Sequence, residues 1–133
     1  MQWSERFATG IPAIDNQHKL LFRMSSDYRE ALNEQRGERM YALWLESLDD
    51  YAKAHFDVEE GCMHRYRCPA AATNSAAHCR FTEVLATFRR RHADHGFRPA
   101  DARQLVDFLD DWLASHIGRI DVQLKPCVEG TGA

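Results

Sequence analysis

Histidines and carboxylates occur in this chain at positions where helical spacing would turn them inward. His55 and Glu59 are four residues apart, so on a helix both side chains point the same way, about one turn apart. Asn74 and His78 repeat this spacing further along the chain. Burial of such polar groups is costly unless they are paired or bind a metal. The spacings therefore predict polar side chains that meet in the protein interior.

Two more histidines and one aspartate extend the pattern. His18 lies among apolar residues at helical spacing, and His116 lies near the end of the last apolar stretch. Asp121 follows His116 by five residues, an offset of roughly 140° on a regular helix. It can share the face of His116 only if the helix loosens, which we expect at Gly118. A single polar residue in an apolar stripe is usually a satisfied core histidine, but this many, spread over four stretches, favour a metal site.

The types of donor narrow the choice of metal. Neutral imidazole and carboxylate together suit iron, manganese or zinc. Several histidines with two carboxylates able to bridge favour two metal ions, and the core of a helical bundle is a common place for such a centre.

Four stretches of the chain have the apolar periodicity of amphipathic helices. Gly37 is predicted to end the first helix, and Met40 and Leu43 are predicted to face inward on the second. Helices joined by short turns prefer an antiparallel bundle, so we expect one all-α domain over 1–133, an up-down-up-down four-helix bundle. Trp3 and Phe7 of an extended N-terminal arm should pack on it. The predicted elements are the arm at about 1–10, helices at about 11–36, 38–66, 70–92 and 100–117, and a C-terminal tail at about 122–133.

Composition excludes several classes of partner. The 133 residues, 44% of them hydrophobic and 28% charged, suit one domain with one core. The net charge of -3 and the lack of a basic patch argue against nucleic acid. No apolar run is long enough to cross a bilayer, and the opening MQWSERF has no signal-peptide core, so we expect no membrane partner and a cytoplasmic location.

The four cysteines form no CxxC pair. They are predicted to be buried thiols, and neither a disulfide framework nor a zinc-thiolate site is expected. These cysteines are Cys62, Cys68, Cys79 and Cys127.

Three motifs resemble those of the hemerythrin family in its single-domain bacterial form. The resemblance spans nearly the whole chain. It implies two non-haem iron ions, Fe2+ or Fe3+, with a bridging oxo or hydroxo group, and reversible O2 binding for storage, delivery or sensing. The motifs are Trp3, Phe7, Thr9-Gly10-Ile11, Ile14-Asp15 and Gln17-His18-Lys19, then His55-Phe56-x-x-Glu59-Glu60 with Met63, and last Trp112-Leu113-x-x-His116-Ile117-x-x-Ile120-Asp121.

The resemblance also implies a role for each ligand. His18 and His55 would bind the iron at which O2 lands. Glu59 and Asp121 would bridge the irons. The second iron would be held by His78 and His116 together with a third histidine from the third helix.

Asn74 stands where that third histidine is expected. Three alternatives follow. The amide of Asn74 coordinates weakly or holds a water, or the second iron is lost and a single iron remains, or another side chain such as Cys62 fills the position. We favour a dinuclear site in which the second iron is bound more weakly, and Asn74 is a candidate seventh ligand.

The O2 pocket and the activity complete the predictions. Reversible O2 binding without catalysis is favoured. The alternative is a redox enzyme, di-iron or mononuclear, acting on O2, peroxide or nitric oxide. A metal-free bundle serving only as an interaction domain is disfavoured because of its buried polar residues, and the sequence identifies no protein partner. The residues predicted to wall the pocket are Leu21, Phe22, Phe56, Trp112, Leu113 and Ile117.

Overall fold

Four long antiparallel helices form the body of the protein. The computed structural model describes residues 2–131, so Met1 of the predicted arm and Gly132 and Ala133 of the predicted tail lie outside the described residues. Each helix packs against the next along the chain, and α1 also packs against α4, which closes the bundle. The predicted four-helix bundle is confirmed, with no strand in residues 2–131. The helices are α1 (Pro12–Asn33), α2 (Gly37–Arg65), α3 (Ala71–His95), α4 (Pro99–Trp112) and α5 (Leu124–Thr131).

The turn between α1 and α2 differs from the prediction. Gly37 is the first residue of α2, and α1 already ends at Asn33. The reversal is made at Gln35, which adopts a left-handed backbone with φ 60°. A Cβ on Gly37 would collide with the side chain of Leu32, and the Tyr28 hydroxyl donates to the Gly37 carbonyl at 3.0 Å. Close packing at the start of α2 therefore explains the glycine, rather than a helix stop.

The main apolar core lies at the centre of the bundle and is formed by residues of α1, α2, α3 and α4. At one end of it Tyr28 stacks on Trp44, with ring centroids 4.2 Å apart and 14° between the planes. The prediction that Met40 and Leu43 face inward is wrong, since they are 39% and 69% exposed. Trp44, which was also predicted to face inward, is buried, and Tyr41 is buried beside it on the inward face of α2.

The N-terminal arm packs on the bundle, as predicted. Phe7 is buried, and its ring centroid lies 5.1 Å from that of Phe22. Trp3 is partly buried against the same core. The arm is not extended throughout, since Glu5–Phe7 form a 3-10 turn. No helix within residues 2–131 combines the length and apolar character required to span a membrane.

The C-terminal segment is more structured than the predicted tail. Leu124–Thr131 form the short helix α5, and Leu124 is fully buried against Ile14 and Met63 in a second, smaller core. Here a disulfide joins Cys68, in the turn after α2, to Cys127 of α5. The prediction of four buried thiols is therefore wrong. The two cysteines are 59 residues apart, and only the return of α5 to the α2–α3 turn brings them together.

The close packing at Gly37 leads to a test of stability. Gly37→Ala should destabilise the metal-free protein by about 1–3 kcal/mol, because the added methyl group forces Leu32 to move in a packed region. Gly61→Ala is the matched control, since Gly61 lies in the same helix and an added Cβ meets nothing within 4 Å. It should gain about 0.5–1 kcal/mol. Urea unfolding followed by circular dichroism measures both, and equal effects of the same sign would contradict this account of the turn.

Candidate metal centre

Six buried polar side chains, one or two from each element of the bundle, converge at one level of the core. Three of the elements are long α-helices. The other two are irregular: the widened π turn Leu113–Ile117 that continues α4, and the 3-10 turn Asp121–Gln123. The six side chains are His18 on α1, His55 and Glu59 on α2, His78 on α3, His116 in the π turn and Asp121 in the 3-10 turn.

These side chains form two overlapping groups, each able to hold one metal ion. One ligand atom from each member of a group lies within 4.8 Å of the others. Both groups contain Glu59 and Asp121, so the two carboxylates are shared. The first group adds His18 and His55, and the second adds His78 and His116.

Glu59 divides its two oxygens between the groups. Its Oε2 lies 2.9 Å from His18 Nε2 and 3.4 Å from His55 Nε2. Its Oε1 lies 3.1 Å from His78 Nε2 on the other side. One carboxylate thus faces histidines of both groups, the arrangement that a bridging ligand requires.

Asp121 is divided in the same way. Its Oδ2 lies 3.2 Å from His18 Nε2, and its Oδ1 lies 2.9 Å from His116 Nε2. Despite that short distance, Oδ1 is buried and makes no hydrogen bond. Glu59 is hydrogen-bonded to His18 and His78, whereas Oδ1 of Asp121 has no such partner. This pattern, with four imidazoles and two shared carboxylates, fits two first-row transition metal ions.

The backbone after α4 explains how Asp121 reaches this point. A regular helix would place Asp121 well away from the face of His116. The π turn at Leu113–Ile117 widens the helix, and the chain then leaves it, with the Ile120 amide donating to the His116 carbonyl at 2.8 Å. The helix thus loosens just before Gly118, where the sequence analysis placed the change. Such π turns are often found at functional sites.

The six converging side chains, which we call the cage, balance one another's charges. Burial lowers the pKa of His18 and of His116, but the carboxylates of Asp121 and Glu59 outweigh this effect and raise both pKa values to about 9. Burial would raise the pKa of Glu59, yet its hydrogen bonds to the surrounding histidines hold that pKa well below its usual value. The Glu59 carboxylate therefore stays ionised and requires positive charge beside it, which bound cations would supply.

The outer ring nitrogens have different partners. Nδ1 of His55 donates to Oε1 of Gln17 at 2.6 Å, which leaves Nε2 of His55 free to coordinate. A hydrogen bond of this kind fixes the tautomer and orientation of a metal-binding histidine. Nδ1 of His78 lies 3.5 Å from Oε2 of Glu60 but makes no hydrogen bond, and Nδ1 of His18 and of His116 also have none. Gln17 and Glu60 were not identified as functional from the sequence, although each is adjacent in sequence to a site residue, His18 or Glu59.

Asn74 occupies the position on α3 one turn before His78. It is fully buried, and neither polar atom of its side chain has a hydrogen-bond partner. A buried amide normally finds partners, so this pair of unmatched atoms is unusual. It is consistent with an amide placed for a ligand.

Of the six residues predicted to wall the pocket, five are buried and Trp112 is partly buried. Phe56 stacks on the His78 ring, with centroids 3.8 Å apart, and Trp112 stacks on His116 at 4.3 Å. These two aromatic rings therefore cover the histidines of the second group. A cavity of about 510 Å³ between α3 and α4 reaches Trp112 and His116 from outside.

A helical bundle whose core holds histidines around two shared carboxylates defines the class of dinuclear metal-binding bundle proteins. Residues 9–128 match the Hemerythrin HHE cation binding domain. The chain belongs to the hemerythrin family, whose members hold a non-haem di-iron centre.

Individual relatives agree with this assignment along most of their length. The chain is 30% identical over 130 residues to the bacteriohemerythrin of Methylococcus capsulatus, which covers 96% of each protein. It is 32% identical over 125 residues to the bacteriohemerythrin of Pseudomonas aeruginosa, 90% of this chain and 75% of that protein. It is also similar to the myohemerythrin of Sipunculus nudus, at 27% identity over 123 residues, 92% of this chain and 89% of the relative.

The contact between Gln17 and His55 gives a test of how the cage is oriented. Gln17→Leu removes the acceptor for His55 Nδ1, so metal affinity should fall by about 10–100-fold. Asn16→Leu, the same change of shape at an exposed neighbour, should leave affinity unchanged. Anaerobic titration with Fe2+ against a competing chelator measures both. Equal affinity in the two variants would show that Gln17 does not orient His55.

Proposed function

We propose that this chain is a non-haem di-iron protein that binds O2 reversibly and is not an enzyme. In this proposal the six converging side chains hold the iron ions. The observation that carries the proposal is the sharing of Glu59 and Asp121 between two groups of histidines, since each carboxylate presents one oxygen to each group. Two iron ions held by these side chains would supply the electrons that reversible O2 binding requires.

The side chains around the cage keep water away from it. Leu21, Phe22, Leu113 and Ile117 are buried and apolar, so they offer no protons to a bound oxygen molecule. A dry lining of this kind limits irreversible oxidation, because side reactions at a reactive centre need proton transfer. The apolar lining supports release of O2 over its reduction.

In this proposal, Asn74 makes the ligands of the two iron sites unequal. The amide oxygen is a poorer ligand for iron than imidazole, so the iron beside His78 and His116 is held less firmly than its neighbour. The unmatched polar atoms of Asn74 support a role at the cage. We propose storage, delivery or sensing of O2 in the cytoplasm as the setting, with both irons present and the second one weakened.

A redox enzyme acting on O2, peroxide or nitric oxide is the second candidate. The cavity between α3 and α4 favours it, since this opening leads to Trp112 and to His116 of the cage. The two candidates differ in turnover. An enzyme would consume O2 continuously when supplied with a reductant, whereas a carrier would take up one equivalent and stop.

The central test is spectroscopic. The iron-loaded protein is reduced under argon, air is admitted, the visible spectrum is recorded, and the oxygen is then removed. We expect a charge-transfer band that appears with air and disappears on deoxygenation. Glu59→Gln should abolish the band, while Glu46→Gln at an exposed site of the same helix should retain it. A band that only decays to an oxidised form would refute reversible binding.

The weaker ligand at Asn74 predicts that the two iron ions bind with unequal affinity. Anaerobic titration of the natural chain should show one tight and one weaker equivalent of Fe2+. Asn74→His should make the two equivalents similar by adding an imidazole one turn before His78, and Asn74→Ala should weaken the second further. Two equally tight equivalents in the natural chain would contradict the proposal.

The apolar side chains proposed to line the cage lead to a prediction about the rate of irreversible oxidation. Leu113→Ala should admit water beside His116 and speed irreversible oxidation of the oxygenated protein by about tenfold, a barrier change of roughly 1.4 kcal/mol. Leu105→Ala, in the core of α4 further from the cage, is the control for lost packing. It should lower stability without changing the oxidation rate. Decay of the visible band measures both, and equal rates in the two variants would remove Leu113 from the wall.

A further inference from the structure

Asp121 is held by the least regular part of the bundle. His18, His55, Glu59 and His78 lie on helices of 22 to 29 residues. Asp121 instead opens a 3-residue turn that is followed by the 8-residue α5. A helix of that length is marginal by itself, so its stability comes from packing. The position of the Asp121 carboxylate therefore depends on what anchors α5.

Two features anchor α5. The first is apolar: Leu124 is fully buried in the small core with Ile14 and Met63. The second is covalent: Cys127 of α5 is joined to Cys68. Cys68 is itself 5% exposed and belongs to the same small core. The disulfide thus fastens the segment that carries Asp121 to the turn between α2 and α3, beside the helices that carry Glu59 and His78.

We propose that Cys68–Cys127 is a thiol–disulfide exchange site whose redox state sets how firmly Asp121, and with it the bound metal, is held. The oxidised form clamps α5 onto the bundle and retains the metal. The reduced form leaves α5 without its covalent link to the bundle and releases the metal faster. The metal-retention part of this inference rests on the proposed role of Asp121 as a ligand.

The chemistry of the exchange is that of a dithiol reductant. A reductant thiolate attacks Sγ of Cys127, which is more exposed than Cys68, and the bond between the two protein sulfurs breaks. The Cys68 thiolate leaves and takes a proton. The second thiol of the reductant then displaces Cys127 as a thiolate, which is protonated in turn. Two electrons and two protons pass to the protein, and the reductant becomes a cyclic disulfide.

The location of the exchange site gives it a selective effect. Reduction opens a loop that contains α3, α4 and the π turn, but those helices remain packed in the main core. Local loosening therefore concentrates in α5 and the turn before it. Because compartments differ in thiol redox state, the same chain would hold its metal firmly in an oxidising compartment and loosely in a reducing one.

The other two cysteines provide an internal control. Cys62 is half-buried and Cys79 is exposed, and both are free thiols. Cys62→Ser/Cys79→Ser removes them and leaves the cross-link. Cys127→Ser removes the cross-link by exchanging one sulfur for oxygen. Circular dichroism of each variant establishes that the bundle is retained.

The first measurement needs no metal. The protein is alkylated before and after dithiothreitol and analysed by mass spectrometry, and amide hydrogen exchange is followed in the metal-free chain. We expect two cysteines to become alkylated only after reduction, and exchange to quicken in 119–131 more than in α1 to α3. Four reactive thiols at the start, or equal exchange throughout, would overturn the proposal.

The second measurement follows the metal. Protein loaded with Co2+, which avoids oxygen chemistry, is treated with dithiothreitol, desalted under argon and challenged with a chelator. Release should be faster by about tenfold or more after reduction, and Cys127→Ser should release at that fast rate without responding to the reductant. The variant lacking the two free thiols should behave as the natural chain does.

The outcomes separate this inference from the proposed function. If the chain binds no metal ion, the proposed function fails. Hydrogen exchange in the metal-free chain then still tests whether the disulfide holds α5 on the bundle. If the chain binds metal and reduction leaves its release unchanged, the link from the disulfide to Asp121 is refuted while the di-iron proposal stands.

Discussion

The structure depends on the burial of two carboxyl groups among histidines. Glu59 and Asp121 are 0% and 1% exposed. Carboxylates removed from water in this way are tolerated only with compensating positive charge at close range. That requirement dictates the rest of the centre, because histidines from several elements are needed to surround both carboxylates. The antiparallel bundle meets the requirement, since it brings the first third of α1 and of α3, the second half of α2 and the turns that follow α4 to one level.

The two halves of the cage are supported by different interactions. His55 of the first group is oriented by a hydrogen bond from its ring to Gln17. His78 and His116 of the second group lie face to face with Phe56 and Trp112. A hydrogen bond fixes the rotation of an imidazole, whereas a stacked ring fixes its plane and leaves it freer to slide. Two metal ions with the same kinds of ligand would therefore occupy unequal surroundings, even before Asn74 is considered.

Helical periodicity made most of the centre readable from the sequence. The spacing of His55 and Glu59, and the place of His18 and His78 in apolar stripes, need only the geometry of a regular helix. Regular helix geometry does not place Asp121, which requires the helix to loosen near Gly118; the family resemblance, rather than the spacing, indicated its role. The Cys68–Cys127 pair was missed for a related reason: it depends on α5 folding back, and the contact joins residues distant in sequence. Helical periodicity thus predicted the helices, whereas the turn after α4 and the position of α5 depend on contacts between residues distant in sequence.

The aromatic stack at one end of the bundle has a further consequence. Tyr28 and Trp44 belong to the main apolar core, whose cohesion comes from contacts between apolar side chains. The bundle therefore has a source of cohesion that does not depend on bound metal, unlike small domains that fold only around an ion. Folding of the chain and binding of metal can then be separate events in time. The folded protein can remain without metal, and the supply of metal, rather than the rate of folding, determines when the site is filled.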